Sequence, residues 1–200
     1  MAISYDVNTF EVLNRSGRSI EQVRALRRAM GSNFHVRFAT KAIDQIFKRT
    51  ISGNDVFGKP FERYSDSYKR SLAYRIYGKS SHVNLKLTGE MLSSMGIGSI
   101  RNGRVKIIII GDLNNAKAEG HTFGIERNVG RGVKIKVGKR TKTVFKKQKV
   151  KRPFLGLSTD EENRIFEDTL REEIAERPLL YSIEGGVRLS GAEGRFVEVE

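Results

Sequence analysis

The sequence predicts an α+β chain, and three observations carry that expectation. Apolar residues recur at helical intervals near the start of the chain and again between about 159 and 176. Two stretches, 98–112 and 130–151, carry alternating or continuous apolar positions around glycine-containing turns, the pattern of β-hairpins. Loops rich in Gly, Asn, Asp and Pro separate the periodic segments.

Residues 1–18 read as an N-terminal arm. "AISYDVNTFEVL" alternates weakly, as a strand or an arm, and "NRSGRS" is a loop. Ser19 and Gln22 have capping-box spacing. After them Val23, Leu26, Met30, Phe34, Phe38, Ile43, Ile46 and Phe47 predict one long helix over about 20–51, bent near Gly31. Its other face carries Arg24, Arg27, Arg28, Arg37, Lys41 and Lys48, a solvated stripe able to meet a partner.

Beyond the loop "SGNDVFGKPFERYSD", Ser65 can cap a short helix with Tyr68, Leu72, Tyr74 and Ile76 facing inward. Thr88 can cap a helical turn holding Met91, Leu92 and Met95. "GSIRNGRVKIIIIGD" reads as a hairpin turning at Asn102-Gly103, and the Ile107–Ile110 run implies a strand covered on both faces. "NNAKAEG" is a short helix ending at Gly120.

Residues 130–151 alternate Val133, Ile135 and Val137 with Lys134, Lys136 and Lys139. This predicts a hairpin with one apolar and one cationic face. Twelve lysines and arginines fall between Arg127 and Arg152, with only Glu126 beside them to oppose the charge. Ser158 or Thr159 then caps a helix whose first turn holds Asp160, Glu161 and Glu162, acids that suit a helix N-terminus. Ile165, Phe166, Leu170 and Ile174 form its buried stripe, and Pro178 ends it. Residues 178–200 read as a C-terminal extension with a small hairpin and a terminal strand.

Composition bounds the function. Two hundred residues suffice for one domain with a core, and 38% hydrophobic with 30% charged residues suits a soluble chain. No apolar run approaches the roughly 20 residues that cross a bilayer, so no membrane partner is expected. The opening residues lack the basic and apolar segments of a secretion signal. Without cysteine there is no disulfide, thiolate metal site or cysteine nucleophile, which fits synthesis in a reducing cytoplasm. The net charge of +14 favours a polyanionic neighbour, nucleic acid or an acidic protein surface.

Catalytic patterns fail one by one. "GVKIKVGKR" has the wrong spacing for a phosphate-binding P-loop, and Arg140 stands where its hydroxyl belongs. No serine sits in a nucleophile elbow. His35, His82 and His121 have no metal-ligand spacing, and His121 lacks a nucleophile or orienting carboxylate at a suggestive interval. The reading is of a non-enzyme without cofactor or metal. The residues with a physical claim on a partner are Lys134, Lys136, Lys139, Arg140, Lys142, Lys146, Lys147 and Lys149, facing DNA or an acidic protein surface. Phe145 alone among them is aromatic, which argues against base stacking and for weakly specific contact.

Four motifs occur in order: "FGKPFERYSDSYKRS" (57–71), "LKLTGEMLSSM" (85–95), "KAEGHTFG" (117–124) and "KRPFLGLSTDEENRI" (151–165). Over roughly residues 20–177 this resembles the tailed-bacteriophage neck and tail-completion proteins, the virion-morphogenesis family. The last motif is the most specific. The basic hairpin enlarges a gap that is short in the family, and 1–18 and 178–200 extend beyond its pattern.

The resemblance implies a long N-terminal helix and a C-terminal helix packed on a small antiparallel sheet. It divides the chain into an arm (1–18), a neck-like domain (19–177, with the hairpin inserted at about 130–151) and an extension (178–200). It also implies a structural virion protein at the head–tail junction, made in the host cytoplasm. A homo-oligomeric ring of roughly six or twelve copies would surround the DNA channel. Portal or adaptor proteins and tail proteins would be its partners, with genomic DNA within reach. Arg152, Pro153, Phe154, Leu155, Gly156, Leu157 and Ser158 would be a packing knot fixing the hairpin against the acidic helix. The alternative is a free, sequence-nonspecific nucleic-acid-binding protein.

Overall fold

The computed structural model describes residues 3–64, 69–77, 83, 85, 89–137, 140–177, 187–190 and 195–198; for 73, 77, 125–149 and from 187 onward it describes backbone alone. In chain order the elements are β1 (Ser4–Asn8), α1 (Thr9–Asn14), α2 (Ile20–Ala29), α3 (Ser32–Ile51), α4 (Leu72–Tyr77), α5 (Glu90–Ser93), β2 (Met95–Arg101), β3 (Arg104–Ile109), α6 (Asp112–Phe123), β4 (Ile125–Val137), β5 (Arg140–Val150), α7 (Thr159–Glu176), β6 (Val187–Ser190) and β7 (Arg195–Glu198). Helices accompany a small antiparallel sheet, so the fold is α+β. The chain forms two compact units, each assembled from three separated segments.

The first unit comprises Ser4–Gln45, Gly96–Ile108 and Leu157–Glu200. Its sheet has the order β1-β3-β2, with Tyr5 opposite Ile107 and Val7 opposite Val105. Residues 4–8 are therefore a strand, and the next six residues are a helix whose N-cap is Asn8. The β2–β3 turn is the expected one: Asn102 and Gly103 have φ of 49° and 73°, the left-handed pair of a tight hairpin. Thr9 grips it, donating from its amide (2.9 Å) and its hydroxyl (2.8 Å) to the Gly103 carbonyl.

β3 differs from expectation. Val105, Ile107 and Ile109 are buried while Lys106 and Ile108 are only half-buried, and Ile110 lies exposed beyond the strand. The isoleucine run is thus covered fully on one face, not on both. On the other face Ile108 fills the space beside Gly98, where a Cβ would come within 2.7 Å of it.

The single long helix is in fact two. Met30 is extended (ψ 97°) and caps α2, and α3 starts afresh at Ser32. Glycine at 31 withdraws helix propensity where the chain must change direction. The capping box at Ser19 and Gln22 is present, with both bonds at 3.2 Å. On α3 the buried positions Phe34, Phe38 and Ala42 recur every fourth residue, and Phe34 meets Phe166 of α7 edge-on at 5.2 Å between centroids.

The second unit comprises Met1–Ile3, Ile46–Met95 and Ile109–Gly156. α5 buries Met91 and Leu92, but its N-cap is Gly89, which offers no side-chain bond. α6 runs through Gly120 to Phe123 and stops at Gly124. On α4, Leu72 (67% exposed) and Ile76 (51%) face outward, contrary to expectation. Tyr74 is half-buried and packs edge-on against Tyr64. A helix of only six residues cannot bury a full stripe. The expected caps Ser65 and Thr88, and Tyr68, lie outside the described residues.

Candidate partner-binding ribbon

β4 and β5 form a two-stranded antiparallel sheet of their own, from Ile125 opposite Val150 to Val137 opposite Arg140. Ten residue steps along β5, the strand without the bulge, at ~3.3 Å give a ribbon about 33 Å long. The register slips between Val129 and Val133, where four steps on β4 match two on β5, so Gly130, Arg131 and Gly132 form a bulge. Lys134, Lys136, Arg140, Lys142, Lys146, Lys147 and Lys149 all occupy strand positions; Lys139 lies outside the described residues.

The register alters the expected division of faces. Directly opposed residues of an antiparallel pair share a face. Lys134 and Lys136 oppose Thr143 and Thr141, whereas Ile135 opposes Lys142, Val137 opposes Arg140 and Val129 opposes Lys146. The apolar alternation of β4 is therefore matched on β5 by cations, and neither face of the ribbon is purely apolar. From 125 to 150 the ribbon carries ten basic residues and one acid, Glu126, opposite Lys149.

The segment leaving β5 is held by two buried arginines. Arg152 is 1% exposed; its Nε and Nη2 donate to the Glu62 carbonyl (3.0 and 2.8 Å), and Nη2 donates also to Arg63 (3.2 Å). Its guanidinium lies over the Tyr64 ring at 5.4 Å, and its amide donates to the His121 carbonyl at 2.7 Å. Arg49, at the end of α3, donates to the carbonyls of Phe154 (2.8 Å) and Gly156 (2.7 Å), and Val56 donates to that of Pro153 (3.0 Å). Phe154 is fully buried, Pro153 and Leu155 half-buried, and Gly156 has φ 138°, a conformation other residues rarely adopt. These bonds tie the knot to the 53–63 loop, α6 and the last turn of α3, within one unit. In the other unit Leu157 is buried and Ser158 caps α7 in a capping box with Glu161 (2.9 and 3.3 Å).

Five glutamates of α7 meet basic partners in their own unit. Arg18 holds Glu167 through two bonds of 2.7 Å, and Arg37 holds Glu176 through two of 2.6 Å. Lys41 meets Glu172 at 2.7 Å and Arg15 meets Glu162 at 2.5 Å. Buried Glu173 lies between Arg37 (3.8 Å) and Arg177 (3.6 Å). The Arg37 guanidinium beside Glu176 holds that carboxyl below the usual range. Burial, together with the Glu162 carboxylate it donates to, pushes the Tyr5 phenol well above its ordinary value.

The basic stripe of the N-terminal helices, expected to be solvated, thus meets α7 through Arg37 and Lys41. Sequence reasoning missed Arg49, whose buried role left only the trace of an arginine on the otherwise apolar side of a helix. Among the described residues, no three His, Asp or Glu residues gather as a metal site, and no helix is long and apolar enough to cross a membrane.

Family models, curated proteins and solved structures offer no match to this chain. Its functional reading rests on its own residues.

Proposed function

We propose that the chain is a structural protein of the bacteriophage head–tail junction, acting by assembly rather than chemistry. In this reading copies form a ring around the DNA channel, joining connector to tail, with the basic ribbon reaching DNA or a neighbouring protein. The observation that carries it is the ordered motif series ending in "KRPFLGLSTDEENRI". The last motif is also the segment that Arg152 and Arg49 secure at the base of the ribbon, which is about 33 Å long by strand rise. A cationic ribbon on a rigid base suits a subunit that must reach past its own surface.

Composition analysis of purified particles tests the reading. The chain is expected in every particle at a fixed ring stoichiometry, and deletion of residues 130–150 is expected to yield particles without tails or without retained genome. Particles that lack the chain altogether overturn it. The second reading, a free nucleic-acid-binding protein, is favoured by the ten basic residues against one acid in the ribbon. It requires tight duplex binding by the monomer at physiological salt; negligible monomer binding removes it.

A further inference from the structure

The strand register sorts the ribbon's cations into two rows. Strand alternation along β5 places Lys147 and Lys149 on one face, together with Thr141 and Thr143 and the residues opposing those threonines, Lys136 and Lys134. The other face holds Arg140, Lys142 and Lys146, and Arg127 opposite Gln148. Each row has four cations, the first with Glu126 opposite Lys149, and the two rows lie on opposite sides of one ribbon. A partner with a single flat acidic surface can meet only one of them.

Duplex nucleic acid presents phosphates on two sides of a groove. A β-sheet with its side chains is ~10 Å thick, the spacing at which sheets stack, and the major groove of B-DNA is ~12 Å wide and admits a two-stranded ribbon. Threonine hydroxyls beside lysines are further phosphate donors. With Phe145 the only aromatic residue from 125 to 150, the ribbon has no stacking platform for single strands.

We propose that the β4–β5 ribbon enters a groove of duplex DNA and holds phosphates on both flanks: Lys134, Lys136, Lys147 and Lys149 on one, Arg127, Arg140, Lys142 and Lys146 on the other. The inference rests on taking the ribbon as the partner surface of the proposed function, and it names that partner. Val137, Ile135 and Val129, opposite Arg140, Lys142 and Lys146, offer no hydrogen bonds to base edges, and with the cations on phosphates the contact is independent of sequence.

The test is equilibrium binding of the full chain to a mixed-sequence duplex, to the same sequence as a single strand and to polyglutamate, across a salt series. If all eight cations engage, the slope of log K against log salt approaches about −7, since each neutralised phosphate contributes ~0.9. Changing all four residues of either row to Gln is expected to remove about 3.6 from that slope. A loss confined to one row, or polyglutamate binding as tightly as duplex, overturns the proposal. Should a four-site variant unfold, Lys136→Gln and Lys142→Gln, one per face, are each expected to remove about 0.9; no change in either overturns it equally. Failure to bind duplex sinks this proposal while particle composition still decides the virion reading, and a two-row slope in a chain absent from particles sinks only the latter.

Discussion

Arg18 and Glu167 face each other fork to fork, two N–H···O bonds of 2.7 Å joining residues 149 positions apart. The arginine side chain is 12% exposed and the glutamate 33%, so solvent screens the pair only in part. A double-mutant cycle with Arg18→Met and Glu167→Gln should return a coupling of about 0.5–1 kcal/mol in urea melts at low salt. A coupling of zero would mean the two charges are independently solvated.

Arg152 is a stronger commitment, because its guanidinium is buried and donates to the backbone carbonyls of Glu62 and Arg63. Arg152→Met leaves the Glu62 and Arg63 carbonyls short of a donor and should cost about 2–4 kcal/mol. Lysine at 152 should recover only part of this, since it cannot span both carbonyls in one plane. Unfolding midpoints of the two variants decide it.

His35 gives the fold a pH dependence of known sign. Burial lowers its pKa from the ordinary 6.5, and its Nδ1 lies 3.2 Å from the Thr9 hydroxyl. Above 6.5 the ring is neutral in folded and unfolded chains alike, so it contributes no slope. As the pH falls below that value the unfolded chain takes up a proton that the folded chain resists, and stability declines until the folded pKa is passed. His35→Gln should flatten the stability profile between about pH 7 and pH 5 in urea melts; an unchanged profile would assign the slope elsewhere.

Two glycines with the same φ of +73° separate strain from collision. A Cβ on Gly17 meets nothing within 4 Å, whereas one on Gly103 falls on the Phe10 ring. Gly17→Ala should cost about 1 kcal/mol for the left-handed backbone alone. Gly103→Ala should cost about 1–3 kcal/mol more, from overpacking. Equal losses in thermal melts would show that Phe10 moves aside freely.

What was legible in the sequence was local. The box at Ser19–Gln22 and the Asn102-Gly103 turn are each decided by residues within three positions and formed as read, and of the two caps the sequence left open for α7 the structure takes Ser158. The break at Met30–Gly31 was not legible, because one glycine costs a helix only about 1 kcal/mol and tertiary packing decides between a bend and a stop. The ion pairs of α7 were hidden because a charged face reads the same whether it meets water or an arginine more than a hundred residues away. The two-row ribbon was hidden because which residue of β5 opposes which of β4 follows from pairing rather than composition.

The threading of each unit through three separated segments has a consequence during synthesis. Arg18 leaves the ribosome 149 residues before Glu167, and at about 5–20 residues per second the wait is on the order of 10 s. Through that interval Phe34 has no Phe166 to pack against, and the apolar side of α3 lacks its α7 neighbour. That part of the first unit's core can therefore close only after residues 157–176 have been made.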